Sequence, residues 1–343
     1  MNHDILSHYH KAAAQAAAAA ARFKQEADTY SLMRLGVFVL FIAGVVAGVM
    51  SDSFTLIAIV TLVMIAAFAW LVSKQSIFER ERDYYNGLAK VNQNEIDSIT
   101  RMGNLYSNGA GYQNEKHFYT SDLDIFGNAS LFQLVNRAAT APGNRKLAEW
   151  LSAPANKETI LLRQEAVKEL SAKNTWKPEM QTLLLFARTA DANELSRLIT
   201  YLNTPVNIPG EKWLKTYFKI APFIMTAAVT LAFFVNEFKI AALLIGLVHG
   251  QLVLSRQKHV RKAELIVGKI GATLAGYARA FKKAEDEQWQ SVYSQHLSAQ
   301  LKEKQTSAQI KELSRLVNNF NARLNMLVGT VLNLFFLWDL KQI

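Results

Sequence analysis

The sequence predicts an all-α fold, partly set in a membrane: transmembrane helical hairpins joined to a cytosolic helical domain with long helices behind it. Three observations predict it. Long uncharged apolar runs come in pairs separated by short polar turns. Elsewhere apolar residues recur every three or four positions. Strand-like alternation is absent throughout.

Residues 1–34 hold AAAQAAAAAAR, and alanine is the strongest helix former, so an N-terminal Ala-rich helix is expected to run on into the first apolar stretch. Residues 35–50 (LGVFVLFIAGVVAGVM) and 54–72 (FTLIAIVTLVMIAAFAWLV) carry no charge. At 1.5 Å per residue, roughly 20 helical residues cross a hydrocarbon core of about 30 Å. The intervening SDS permits only an antiparallel return, so 35–73 form a first hairpin. Residues 74–119 follow as a cytosolic amphipathic helix, with Ile77, Tyr84, Leu88, Val91, Ile96 and Ile99 on one face, and a Gly/Asn-rich linker, MGNLYSNGAGYQNEK.

A helical unit is expected over 120–215. Asn128 or Ser130 can cap LFQLVNRAA, Pro142-Gly143 breaks the pattern, and NRKLAEWL resumes it. Asn156 can cap the helix containing ILLRQEAVKEL, and Asp191 with Glu194 fits a capping box before LSRLITYL. Phe126, Leu131, Phe132, Leu134 and Trp150 are core candidates. Residues 216–255 form a second hairpin from the apolar runs 220–235 and 240–254. His249 and Gln251 are costly against lipid, so they face a helix neighbour or the last run enters only partly. Gly44 with Gly48, and Gly246 with Gly250, are GxxxG pairs suited to close helix contact. Residues 256–343 read as long helices, with Leu313, Leu316, Phe320, Leu324, Leu327, Val331, Leu334 and Trp338 on one stripe.

Lys and Arg flank both hairpins at their open ends, whereas the turns carry Asp52, Glu237 and one Lys. Both termini and the middle region are therefore expected in the cytosol, with the protein integral to the cytoplasmic membrane and no room for an extracellular receptor domain. The 38 Lys+Arg against 28 Asp+Glu give a charge of +10, which suits an anionic partner, nucleic acid or lipid headgroups. The basic run Arg256, Lys258, Arg261 and Lys262 borders a span, so headgroup contact is favoured there over DNA contact. With no cysteine, disulfides, thiolate metal sites and a Cys nucleophile are excluded. No HExxH spacing occurs among the seven His, and the polar or Ala-rich start argues against a cleaved signal peptide.

The stretch Asp122-Leu123-Asp124-Ile125-Phe126-Gly127, then SLFQLVNRAATAPGNRKLAEWLSAP (130–154), then ILLRQEAVKEL (160–170), resembles the core domain of the MutS mismatch-repair family. The residues that carry it are Asp122, Asp124, Phe126, Gly127, Asn136, Arg137, Thr140, Gly143, Arg145, Trp150, Arg163, Gln164 and Leu170. A later stretch, LNMLVGTVLNLFFLWDL, looks like the lever helix that returns toward the ATPase in membrane-associated members. The resemblance covers about 120–205 and 256–343 and implies a MutS-core-like domain with levers.

It also implies a C-terminal ATPase, a dimer and DNA as partner. No GxxxxGK[ST] exists in the chain, and Gly143-Asn144-Arg145-Lys146 lacks both the spacing and the hydroxyl of a phosphate loop. No cofactor is therefore expected here; ATP and Mg²⁺ belong to an ATPase expected beyond Trp338-Asp339-Leu340 in a longer protein, the alternative being a natural version without the motor. The family's Phe-x-Glu mismatch wedge has no convincing match. Arg137, Arg145 and Arg163 are expected to tie helices through carboxylates and carbonyls in preference to binding phosphate. Asp122 and Asp124, two apart, suit loop fixing better than acid–base work, and no catalytic residue is expected. The expected function is a membrane-anchored MutS-like protein comprising anchor, core and lever; the alternative is a membrane scaffold for a protein partner without nucleic-acid or ATP function.

Overall fold

The computed structural model describes residues 2–101, 103–189, 192–204, 211–232, 234–258, 260–261, 270–321 and 333–341. These residues are all-α, with no strand among them. The chain divides into two compact units, Met1–Leu161 with Val167–Leu185, and Leu162–Ala166 with Phe186–Ile343.

The first unit is built on α1 (Asn2–Met50) and α2 (Phe54–Arg101), each about 70 Å long. No proline interrupts either, so each apolar half continues without a break into a polar half. At the turn Asp52 is left-handed (φ 48°), and the amides of Ser51 and Ser53 bond to the carbonyls of Ala47 and Gly48. Small residues line the seam between the helices. Ala16, Ala20 and Ala27 are buried in the polar half. In the apolar half, a Cβ on Gly44 would lie 2.8 Å from Val60 Cγ1, and one on Gly48 would lie 2.5 Å from Ile57 Cγ1. The first GxxxG thus serves close contact inside its own hairpin. Phe23 stacks on Phe78 and Tyr85, and Tyr30 on Phe78.

The remaining helices here are α3 (Leu131–Val135), α4 (Ala141–Ser152), α5 (Lys157–Ala172) and α6 (Trp176–Leu184). Pro142 and Gly143 do not break the pattern as expected from sequence. They lie in the first turn of α4, where a proline loses no helical hydrogen bond, and the break falls at 136–140. Asn156 caps α5 as expected, its Oδ1 accepting from Thr159 N at 2.9 Å. Helix α6 packs on α2, where Gly87 faces Thr182. Nearby, burial pushes the Tyr84 phenol up to about 12, with Glu179, Tyr85 and Glu81 adding to the rise. The unfolded chain therefore ionises first, near pH 10. Stability from this group is complete below that pH and is lost as pH rises through about 12. Tyr84→Phe should flatten the fall in unfolding free energy between pH 10 and 12; an unchanged slope would count against this burial.

The second unit contains α7 (Ala192–Leu202), α8 (Glu211–Ala232), α9 (Glu237–Ser255), α10 (Ile270–Asp286), α11 (Val292–Glu303), α12 (Thr306–Asn321) and α13 (Trp338–Lys341). Its core joins Leu198, Ile270, Leu274 and Val317, with Ile310 and Leu313 packed against them. Helices α10 and α12 approach closely because Gly271 has no side chain: its carbonyl accepts from Ser314 Oγ at 2.9 Å, and a Cβ there would strike Asn318. The buried Glu285 carboxylate accepts from Ser307 N (2.9 Å) and Ser307 Oγ (2.5 Å), capping the start of α12. A Cβ on Gly276 would strike the Phe186 ring, which meets Tyr277 edge-on at 5.1 Å. Gly276→Ala should cost about 2 kcal/mol by overpacking, read as a lower melting temperature of the full chain in detergent.

Among the described residues three helices are long and apolar enough to cross a membrane: Asp4–Met50, Thr55–Arg101 and Glu237–Ser255. Helix α8, expected as a fourth, is not among them. Lys215 and Lys219 occupy its opening turns and its apolar part is 220–232, about 20 Å long. Gly246 meets Leu334 and Met225, whereas Gly250 has nothing within 4 Å, so the second GxxxG is not a paired contact. The long apolar stripe also differs from expectation. Leu316 is exposed, and Leu337 takes a left-handed conformation (φ 49°) that ends the helical turn before it. Leu324, Leu327 and Val331, with most of the lever-like stretch, lie outside the described residues, as does Asp191.

Candidate functional site

Two of the family-like residues, Asn136 and Arg137, meet in one polar knot in the first unit. The end of α2 brings an unusual run, Asn92, Asn94 and Ser98, into the interior. Ser98 Oγ donates to Gly103 O (2.8 Å) and Asn94 Oδ1 accepts from Leu105 N (2.5 Å), stitching the 103–108 loop to the helix. That loop delivers Asn104, whose amide donates to the carbonyls of Gln133 and Asn136.

Asn136 is the hub and is fully buried. Its Nδ2 donates to Ser107 O (2.9 Å) and Asn144 Oδ1 (2.8 Å), while its Oδ1 accepts from Ala138 N (2.8 Å). Both ends of the amide are thus satisfied, as a buried amide requires. Beside it Arg137 makes a two-pronged pair with Glu95, Nε to Oε1 at 2.6 Å and Nη2 to Oε2 at 2.9 Å. Its remaining donors reach the carbonyls of Leu134 (3.0 Å) and Asn136 (2.8 Å) and Ser98 Oγ (3.3 Å). The guanidinium is consumed in holding α2 to the segment after α3, leaving it no donor for a phosphate. Tyr9, on α1, senses the same pair: burial pushes its phenol up, Glu95 adds to the rise and Arg137 opposes it.

The flanking motif residues shape the backbone. Asp122 and Asp124 are exposed, and Asp124 is left-handed (φ 47°) with its carbonyl accepting from Leu131 N. Phe126 packs in a buried cluster with Ile125, Phe132 and Ala148. Gly127 has φ 106°, a conformation that favours glycine, and a Cβ there would also crowd the end of the Gln113 side chain, whose Nε2 donates to Phe126 O. Ser130 caps α3, accepting from Gln133 N (3.1 Å) and donating to Gly127 O (2.7 Å). Phe126 and Phe132 fill the core as expected, whereas Leu131, Leu134 and Trp150, also expected there, are exposed; for the two leucines the reason is that the five-residue α3 can bury only one narrow face. Arg145 and Gln164 are exposed, and Arg163 and Leu170 half-buried, so these four stand outside the knot.

The glycine-basic run at 143–146 does not fit a nucleotide phosphate. Gly143 N donates to Thr140 Oγ1 (3.1 Å) and Asn144 N to Thr140 O (3.0 Å), so the first amides of α4 are already used. A hollow of about 130 Å³ beside the knot is lined by Ser98, Gly103, Ala129, Ser130, Leu131, Gln133 and Leu134, none of which titrates near neutrality. No group of three or more His, Asp or Glu suited to a metal occurs among the described residues. Sequence reasoning missed Glu95, Asn104 and Asn144. Asn92 and Asn94 just before Glu95, in a helix with an apolar face, were the available signal.

In the second unit, His249 is buried between Tyr217 and Leu334. Its Nδ1 lies 2.5 Å from Leu334 O, and its Nε2 lies 2.8 Å from the Tyr217 hydroxyl. A carbonyl only accepts, so Nδ1 carries the proton and Nε2 accepts from Tyr217. At the open end of α8 and α9, Arg256 Nη1 donates to Ser255 Oγ (2.9 Å) and Leu252 O (3.3 Å), and its guanidinium lies 5.8 Å from the Trp213 ring. Lys258 and Arg261 are exposed; Lys262 lies outside the described residues.

A family model described as MutS domain III matches residues 112–328. The DNA mismatch repair protein MutS of Chlorobium phaeobacteroides is 29% identical over 132 residues, which make up 36% of this chain and 14% of that protein. The chain therefore covers a small part of that relative's length. No solved structure matches.

Proposed function

The chain belongs to the MutS domain III family, and on that premise we propose that it is the anchor, core and lever portion of a membrane-bound, ATP-dependent, MutS-like DNA-binding protein. The observation that carries this reading is the position of α8 and α9. The apolar helices α8 and α9 lie inside the matched stretch 112–328, so the family resemblance runs through the apolar segments. Helices α1 and α2 support it from the other side. Their apolar halves expose Leu35, Leu40, Leu62 and Val63, a surface suited to lipid. Their polar halves carry Glu95 to Arg137 in the family-like core.

In this reading the open ends of both hairpins and the core lie in the cytosol, by the distribution of Lys and Arg. ATP and Mg²⁺ bind a further domain of a longer protein, since the residues of this chain form no phosphate loop. The protein works as a homodimer on or near DNA. The test is made with the complete reading frame. It should sediment with membranes and resist extraction by salt, and in nanodiscs it should bind DNA with an affinity that falls steeply with salt. Recovery in the soluble fraction without detergent would sink the membrane reading, and no DNA binding at low salt would sink the nucleic-acid part.

The exposed apolar side chains of Leu131, Leu134 and Val135 on α3 favour a second reading, a membrane scaffold for a protein partner. Absence of DNA binding with intact membrane insertion would favour it.

A further inference from the structure

We propose that residues 334–336 dip into the acyl region of the cytosolic leaflet beside α9 and touch lipid there; this rests on the membrane reading above. The first observation is depth. Gly246 meets the Leu334 side chain, and the buried His249 is bonded to the Leu334 carbonyl. Both lie in 240–255 of α9, which carries no charge, Gly246 nine residues and His249 six residues inside the helix end at Ser255. At 1.5 Å per residue these contacts are about 14 Å and about 9 Å in from that end. Helix α8 gives a matching level. Met225, which also meets Gly246, stands six residues beyond Lys219, the last charge of that helix, or about 9 Å. With the hairpin in the bilayer, Leu334 sits below the headgroups.

The second observation is how the backbone is closed. Leu337 is left-handed and ends the turn at 333–336, which takes the helical donor from the Leu334 carbonyl. His249 Nδ1 replaces that donor, and the Tyr217 hydroxyl occupies Nε2. Hydrocarbon offers nothing to a freed carbonyl, so a break at this depth is tolerated only with a protein partner, and a histidine otherwise costly in a span supplies it. The third observation is the outward surface. Residues 334–337 carry no polar side chain; Phe336 is 39% exposed, with the half-buried Phe335 ring beside it. Helix α9 exposes Leu243, Leu244, Leu247 and Val248 on either side of Gly246. Apolar surface on both elements at one level suits acyl chains in preference to water. The chain turns polar directly afterwards. Trp338 Nε1 donates to Asn319 O (2.9 Å) at the end of α12, and Asp339 N to Asn333 Oδ1 (2.9 Å). One helical turn thus fastens α12 to the membrane hairpin.

The chain has no native cysteine, so single thiols can be placed in the full protein and labelled with a bimane fluorophore. Three positions suffice: Phe336→Cys, Leu247→Cys on the exposed face of α9, and Ala299→Cys on the exposed face of α11. Each variant is reconstituted into phosphatidylcholine nanodiscs and read against two quenchers, a nitroxide carried near the headgroup end of the acyl chain and iodide in the buffer. Phe336→Cys should lose fluorescence to the lipid-borne nitroxide as Leu247→Cys does and be shielded from iodide. Ala299→Cys should show the reverse. If Leu247→Cys is quenched by lipid while Phe336→Cys behaves like Ala299→Cys, the proposal is overturned and the membrane reading stands. Shielding of Phe336→Cys from both quenchers would mean that protein covers this surface, and overturns the proposal equally. A Leu247→Cys label that no lipid quenches is a different result and overturns the membrane reading of the hairpin itself.

Discussion

Arg137→Ala is expected to destabilise the first unit by about 3 kcal/mol, among the largest single losses this fold can show. The reason is what the substitution leaves behind. The Glu95 side chain is 14% exposed and the Arg137 side chain 26%, so the carboxylate stays largely dry after its partner is gone. Breaking a well-buried ion pair from one side costs about 3–5 kcal/mol, and the partial exposure here places the loss at the lower end. The carbonyls of Leu134 and Asn136 lose donors at the same time. Arg137→Lys should recover only part of the loss, because one ammonium cannot reproduce a two-pronged pair and two carbonyl contacts. Glu95→Gln combined with Arg137→Ala should be less harmful than the two single losses added together, since the stranded charge is gone. Denaturant unfolding of the full chain in mild detergent measures all four variants. Simple additivity would show that the pair contributes no coupling.

The knot also marks how far the sequence could be read. The all-α class, the first hairpin and the caps at Ser130 and Asn156 were legible, because they depend on local periodicity and on side chains that bond three residues away. Arg137 was legible as a tie between helices, but its partner was not. Glu95 lies 42 residues earlier, in a helix whose polar positions look solvent-facing by pattern alone. The buried Asn92, Asn94 and Asn136 defeat the rule that polar residues face water: Asn92 Nδ2 donates to Leu88 O one turn back in α2, while Asn94 and Asn136 bond to backbone groups of a loop that no period describes. The same limit explains Leu131 and Leu134. Their apolar character suggested a core place, yet α3 is too short to bury more than one side.

His249→Leu should cost about 2 kcal/mol and loosen residues 333–341 from the α8–α9 hairpin. Leucine has a similar volume, so the effect isolates the two hydrogen bonds. The turn at 333–336 stops at Leu337, which adopts φ 49°, a conformation costly for a branched side chain. Stopping there denies the Leu334 carbonyl its helical donor, and His249 Nδ1 supplies one instead. Leu337 is then pressed into a fully buried position with Ala221 and Val260, against Tyr217, Phe218, Leu252 and Val253. A strained residue persists only where its surroundings hold it, so the histidine contact and the Leu337 packing depend on each other. The absence of native cysteine makes this measurable. A single Leu337→Cys thiol should react slowly with maleimide in the intact chain and roughly thirtyfold faster when His249→Leu is added, the ratio that 2 kcal/mol implies. Tyr217→Phe should give a smaller acceleration, because Nε2 then lacks a donor while the Leu334 contact survives. Equal labelling in all three backgrounds would mean that Leu337 is held by packing alone and that the histidine bears no part of the joint.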